Sequence, residues 1–214
     1  MFNTSMIQEA VSIAEPMDGP TIEWMKQKAA NLDAAIAGSI AISQDGKTYN
    51  RFCFVTPDGK VEYYDKRHLF TYAGEGEYIT PGHSRKVVVF RGVRIMLQVC
   101  YDLRFPVFVR NRDDYDMIIY VASWPIARKI AWNTLIRARA IENQCYVAAV
   151  NRVGVDQFGV YSGDSVLISP YGENVVVAEE SKVDMVSAEL DMDKLNHFRE
   201  KFPVLDDADT YMYM

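Results

Sequence analysis

What the sequence lacks narrows its reading first. No apolar run approaches the ~20 residues of a membrane-spanning helix, and the first residues show no basic-then-apolar secretory pattern. Histidine occurs three times, never at ligand spacing with a cysteine or an acid, so neither a metal site nor a cofactor is expected. Three cysteines, an odd number, do not make a disulfide framework, and a reducing cytoplasm is the expected setting. A net charge of -6 leaves no basic footprint for non-specific nucleic-acid binding, although Lys66-Arg67-His68 can serve a local anion. With no internal repeat and no linker, residues 1–214 read as one domain.

What remains is an ordinary globular composition, 49% apolar and 24% charged. Met1 to Glu15 reads as a loop and a weak turn. Asp18-Gly19-Pro20 then opens a helix, because proline fits the first turn, and Ile22, Met25, Ala29, Leu32 and Ile36 recur at helical spacing. Residues 36–42 and 50–56 form a hairpin about Asp45-Gly46, and 60–65 lead out of the turn at Pro57-Asp58-Gly59. The polar, glycine-bearing stretch 71–81 reads as a surface loop, and 87–90 with 93–99 as a second hairpin. A short helix over 106–112, an apolar strand over 117–122 and a long helix over 130–143 follow. That helix is expected to bury Ala131, Leu135, Ala138 and Ile141. Strands at 145–150, 165–169, 174–178 and 183–190, a helix over 193–202, and a tail docking through Tyr211 and Tyr213 complete the chain. Helices alternating with paired strands predict a mixed α/β sandwich with sheets inside.

Val93 to Val99 delivers Cys100 at a strand end, followed by a polar turn closed at Pro106. The carboxyl end of a strand opens onto a crevice in α/β proteins, which suits a reactive thiol. A free cysteine is more often a small buried hydrophobe, so position alone leaves both readings open. Lys66 stands at another strand end, where a cation would lower a nearby thiol's pKa and hold an oxyanion; a lone lysine is otherwise a solvated charge. A histidine-dependent thiol site would draw on His68, His83 or His197, none of which carries a supporting motif.

Several ordered motifs sharpen this. Tyr64-Asp65-Lys66-Arg67-His68-Leu69-Phe70, then Val99-Cys100-Tyr101-Asp102-Leu103-Arg104-Phe105-Pro106, then Arg137-Ala138-Arg139-Ala140-Ile141-Glu142-Asn143-Gln144, occur in that order. With Asn151-Arg152-Val153-Gly154 and Gly163-Asp164-Ser165 they resemble the nitrilase (carbon–nitrogen hydrolase) superfamily. Ser123-Trp124-Pro125 and Arg199-Glu200-Lys201-Phe202-Pro203 are most similar to its omega-amidase branch. The resemblance implies a four-layer αββα fold, a homodimer, and a Glu-Lys-Cys triad that hydrolyses small amides through a thioester. Cys100 would be the nucleophile, with Lys66 and the backbone N–H of Tyr101 holding the oxyanion. Glu75 would support the lysine, and Trp124 would stand beside the substrate. Asp102 and Arg104 would anchor the loop, and Cys53 and Cys145 would only pack. A nitrilase, carbamoylase or aliphatic amidase is the alternative within the superfamily, and a non-catalytic scaffold of the same fold is the alternative outside enzymes.

The resemblance also implies a general-base glutamate that this chain does not carry. Met1-Phe2-Asn3-Thr4-Ser5-Met6 resembles the residues that follow that glutamate, and Glu9 and Glu15 come too late. The expectation is a chain truncated at its N-terminus, missing a first strand-helix-strand, with little or no amidase activity as written.

Overall fold

The computed structural model describes residues 8–210; the Met1–Met6 stretch and Tyr211 and Tyr213 lie outside the described residues. Helix α1 (Pro20–Leu32) starts on a proline whose missing N–H would have no helical partner. The Glu15 carboxylate accepts from the Thr21 N–H at 2.8 Å and its hydroxyl at 2.5 Å. The helix buries Ile22, Met25 and Ala29, whereas Leu32, expected on the same face, is exposed where the backbone turns left-handed at Asp33.

Strands β1 (Ile36–Gln44) and β2 (Lys47–Val55) form a hairpin about Asp45 and Gly46, which both take the positive φ that such a turn needs. β3 (Val61–Asp65) pairs antiparallel with β2 and completes a three-stranded sheet. Alternation sorts the two faces of β2. Cys53 and Val55 pack under α1 with Ile40 and Ile42, while Phe52 and Phe54 join the core of a second sheet.

That second sheet begins with β4 (Val87–Phe90) and β5 (Val93–Val99). Past α2 (Pro106–Val109) come β6 (Met117–Ala122), α3 (Lys129–Glu142) and β7 (Tyr146–Asn151). A separate hairpin, β8 (Val153–Asp156) and β9 (Gly159–Ser162), precedes β10 (Val166–Ile168), β11 (Asn174–Val177) and α4 (Met192–Lys201). The sheet order is β11-β10-β7-β6-β5-β4, with β5, β6 and β7 parallel and the outer pairings antiparallel. α3 covers its outer face through Trp132, Ile136 and Ala140. Helix, three-stranded sheet, six-stranded sheet, helix: this is the four-layer αββα arrangement.

Four local expectations fail for physical reasons. α3 turns Trp132, Ile136, Arg139 and Ala140 inward; Ala131, Leu135 and Ala138 are half-buried and Ile141 is exposed. Apolar spacing cannot reveal an inward arginine, which here donates to the Leu103 carbonyl at 2.6 Å and to Glu142 at 2.9 Å. Residues 183–190 form no strand, because alternation without a partner edge does not make a ladder; Val183 and Met185 are exposed. The β8–β9 hairpin, which the sequence reading left out, carries Gly154 and Gly159, which dilute its apolar alternation. The stretch 71–81 is not simply a surface loop, since two 3₁₀ turns fold Glu75 down to 1% exposure.

Candidate active site

β5 lies inside the second sheet and ends at Cys100, the first residue of a 3₁₀ turn over Cys100–Arg104. Cys100 has φ +48°, a left-handed conformation that costs a non-glycine residue about 1–2 kcal/mol. Such strain persists only where the surroundings impose it. The enforcing group is Asp102, fully buried two residues on. Its carboxylate accepts from the Val99 N–H at 3.1 Å, the Tyr64 hydroxyl at 2.9 Å and the His68 N–H at 3.0 Å, and faces His68 Nδ1 at 2.7 Å. One carboxylate thus ties the end of β5 to the segment that follows β3.

That segment carries Lys66, 1% exposed, whose Nζ lies 2.5 Å from Glu75 Oε2. Glu75 also accepts from the Phe70 N–H at 2.6 Å and from Asn50 Nδ2 at 3.3 Å. Burial opposes charge on both partners, but each outweighs it for the other. Lys66 is held above its ordinary pKa by Glu75, and Glu75 is held below its own by Lys66. The pair is therefore ionised at neutral pH. The expectation for Cys100 is corrected: burial pushes its thiol up, and Lys66 offsets only part of that, so at rest it is protonated. It needs a proton acceptor before it can attack.

A cavity of about 140 Å³ opens at this end of the sheet, lined by Cys100, Tyr101, Trp124, Phe70, Arg104 and Arg128 among others. Lys66 and Glu75 are not in its lining; they stand buried behind the thiol. Trp124 follows β6 and packs on Trp132, with ring centroids 5.5 Å apart. Asn151, at the end of β7, clasps it from both sides: Oδ1 accepts from the Trp124 N–H at 2.7 Å and Nδ2 donates to the Trp124 carbonyl at 2.9 Å. Three parallel neighbours, β5, β6 and β7, thereby deliver Cys100, Trp124 and Asn151 to one rim, as the crevice rule for α/β sheets expects.

Cys100, Lys66, Glu75, Tyr101 and Trp124 are thus gathered at one place, and Asp102 anchors as expected. Arg104 does not: it is exposed, lines the cavity, and stacks over Trp124. His68 stacks on Phe105 at 3.8 Å, and His83 and His197 are exposed, so among the described residues no histidine lines the cavity. Cys53 and Cys145 are fully buried in strand and core. Sequence reasoning missed Arg128, Phe70 and Asn151 as site residues. Phe70 and Asn151 had left a signal, within the Tyr64-Asp65-Lys66-Arg67-His68-Leu69-Phe70 and Asn151-Arg152-Val153-Gly154 motifs, and Arg128 had left none.

A strained thiol at a parallel strand end, backed by a buried lysine–glutamate pair and facing a small cavity, on an αββα sandwich, marks a class of α/β proteins with a thiol–lysine–carboxylate site. The chain belongs to the carbon–nitrogen hydrolase family, whose model matches residues 1–200. It is 46% identical over 215 residues to the omega-amidase YafV of Yersinia enterocolitica, covering 100% of this chain and 84% of that one. A 2-oxoglutaramate amidase of Bacillus subtilis is 34% identical over 195 residues, covering 89% of this chain and 74% of the relative. The crystal structure of XC1258 from Xanthomonas campestris, a CN-hydrolase superfamily protein with an arsenic adduct in its active site, matches with a TM-score of 0.96. It is 44% identical and covers 100% of this chain and 83% of that one.

Proposed function

We propose that the protein hydrolyses the terminal amide of small dicarboxylate monoamides, 2-oxoglutaramate among them, to the free acid and ammonia. The observation that carries this reading is the meeting of Cys100 with the buried Lys66–Glu75 pair at the end of β5. The names of the omega-amidase and 2-oxoglutaramate amidase relatives support the substrate class.

In this reading the Cys100 sulfur attacks the amide carbonyl carbon as its proton passes to a water molecule, which returns it to the departing nitrogen. The oxyanion is held by Lys66 Nζ and by the Tyr101 N–H, which lies in the first turn of a 3₁₀ segment where amides have no internal partner. Collapse breaks the C–N bond, the nitrogen takes a proton and departs as ammonia, and a thioester remains. Water then adds to the thioester carbonyl, releasing the carboxylate and restoring the thiol. Glu75 keeps Lys66 charged and aimed, and Trp124 forms a wall of the cavity. The protein acts without a cofactor, as a homodimer in the cytoplasm.

The proposal includes slow turnover by these 214 residues. Among the described residues no carboxylate lines the cavity, and Glu75 is occupied by three donors. Loss of a general base typically lowers a rate by ~10²–10⁴. The test pairs ammonia release with intact-mass analysis on 2-oxoglutaramate, glutamine and a simple nitrile. Ammonia release, a hydroxylamine-labile adduct on Cys100 with 2-oxoglutaramate, and neither in Cys100→Ala, are expected. Ammonia release surviving that substitution rules out the thioester, and preference for the nitrile moves the substrate class.

A further inference from the structure

The chemistry above gives His68 no part, yet its ring grips the nucleophile's turn at two points. Nδ1 lies 2.7 Å from Asp102 Oδ1, and the ring stacks on Phe105, with centroids 3.8 Å apart and planes 7° from parallel. Asp102 stands in the middle of the Cys100–Arg104 turn, and Phe105 closes it. Phe108 stands nearly perpendicular to the same ring, with centroids 5.2 Å apart. The side chain is only 20% exposed, which is not the setting of a solvated histidine.

Asp102 is fully buried, and among the described residues no lysine or arginine lies within ion-pair distance of it. A buried carboxylate is tolerated only where its lone pairs are filled. Oδ2 accepts from the Tyr64 hydroxyl and the Val99 N–H. Oδ1 accepts from the His68 N–H, which leaves its second place to the imidazole. A bare ring nitrogen there would set two lone pairs against each other, so Nδ1 carries the proton.

We infer that His68 is a positioning residue for the nucleophile: its Nδ1–H, donated to Asp102, locks the Cys100–Arg104 turn onto the segment that carries Lys66. Lys66 precedes His68 by two residues, so one short stretch both backs the thiol with a cation and clamps its turn. That role rests on the reading of Cys100 as the nucleophile, and it acts through electrostatics. Burial pushes the Cys100 thiol up, Lys66 draws it down, and Glu75 pushes it up again. A turn that drifts from its clamp loses the help of Lys66, and the thiolate forms less readily.

The test follows iodoacetamide labelling of Cys100 across pH by mass spectrometry, which needs no turnover. Cys53 and Cys145 are fully buried and their thiols are pushed up by burial, that of Cys53 to about 12, so labelling reports on Cys100. His68→Asn keeps an N–H donor near the place of Nδ1, His68→Gln carries its amide too far out, and His68→Phe keeps a stacking ring without a donor. His68→Phe and His68→Gln are expected to raise the labelling midpoint by about one pH unit, about a tenfold slower reaction at pH 7. His68→Asn is expected to leave the midpoint in place. An unmoved midpoint in His68→Phe overturns the inference, because packing alone then suffices. A shift in His68→Asn as large as in His68→Phe also overturns it, as the mark of a merely deformed turn. Where these variants fail to fold, imidazole ¹⁵N shifts of the unsubstituted protein decide, and three histidines keep the spectrum simple. A proton on Nδ1 supports the clamp, and a neutral ring protonated at Nε2 alone overturns it. All these outcomes leave amide hydrolysis standing; that reading fails instead if Cys100→Ala still releases ammonia.

Discussion

At the scale of the residue, Cys100 combines two unfavourable states, a left-handed backbone and a buried, protonated thiol. Neither serves stability, and both are held by neighbours, chiefly the four contacts of Asp102. The backbone part can be measured separately from the thiol. Cys100→Gly should be more stable than Cys100→Ala by about 1 kcal/mol, against the usual preference for alanine, because glycine takes positive φ without cost. Urea unfolding midpoints of the two variants check this, and an alanine variant at least as stable as the glycine one would show that the turn is unstrained. Cys100, Lys66 and Trp124 were legible in the sequence because each closes or follows a strand and sits in an ordered motif. Glu75 was legible only through resemblance, since a glycine-flanked glutamate in a polar stretch gives no local sign of burial. Arg128 left no sign at all: its place depends on Phe70, far away in the chain, supplying a ring for it to lie on.

At the scale of the element, the site depends on how closely the segment after β3 can be approached. Gly82 donates its N–H to the Lys66 carbonyl at 2.9 Å, and a Cβ built on it would fall 2.1 Å from the Asp65 carbonyl oxygen. Backbone cannot swing aside as a side-chain tip can, so Gly82→Ala must shift the end of β3 and with it Lys66. A loss of several kcal/mol is expected, in the range of other overpacked or strained buried positions. Thermal melts and the iodoacetamide rate of Cys100 report it; a variant with unchanged melting and unchanged labelling would contradict the close approach. Two hairpins were read well because turn chemistry is local: Asp45-Gly46 and Arg91-Gly92 announce themselves, whereas the glycines of β8–β9 hid a third. Two other failures were non-local. The inward register of α3 is set by Leu103 receiving Arg139, and 183–190 lacks the neighbouring strand that its alternation suggested.

At the scale of the whole molecule, two buried carboxylates, Glu75 and Asp116, brace the sandwich through ion pairs. Lys66–Glu75 holds the site, and Asp116 holds α4 to the second sheet through Arg199 at 2.9 Å while meeting Arg94 at 2.7 Å. Burial opposes the Asp116 charge, but Arg94 and then Arg199 keep its carboxyl below the ordinary value. Glu75 is depressed likewise, so both carboxylates contribute stability that is complete above their unfolded values of 3.8 and 4.5 and is lost as pH falls through the lower folded values. Lys66, raised, contributes fully below its unfolded 10.5 and loses that contribution as pH rises through its folded value. Urea midpoints should therefore be flat near neutrality and drop below about pH 4. Asp116→Asn should lower the midpoint at pH 7 more than at pH 3, and equal lowering at both would remove the linkage. The alternating pattern made the α/β class legible from composition and periodicity. The pairing of layers needed the resemblance, because nothing local in Phe52 or Phe54 says that a second sheet lies opposite.

The clasp on Trp124 has a consequence for how the protein is made. Asn151 also donates through its side chain to the Gly163 carbonyl at 2.7 Å and through its backbone N–H to the Ser165 hydroxyl oxygen at 3.0 Å. Lys66, Glu75 and Cys100 leave the ribosome early, but the wall opposite the thiol cannot be locked until Ser165 has emerged. A nascent chain therefore carries its nucleophile well before it has a finished pocket.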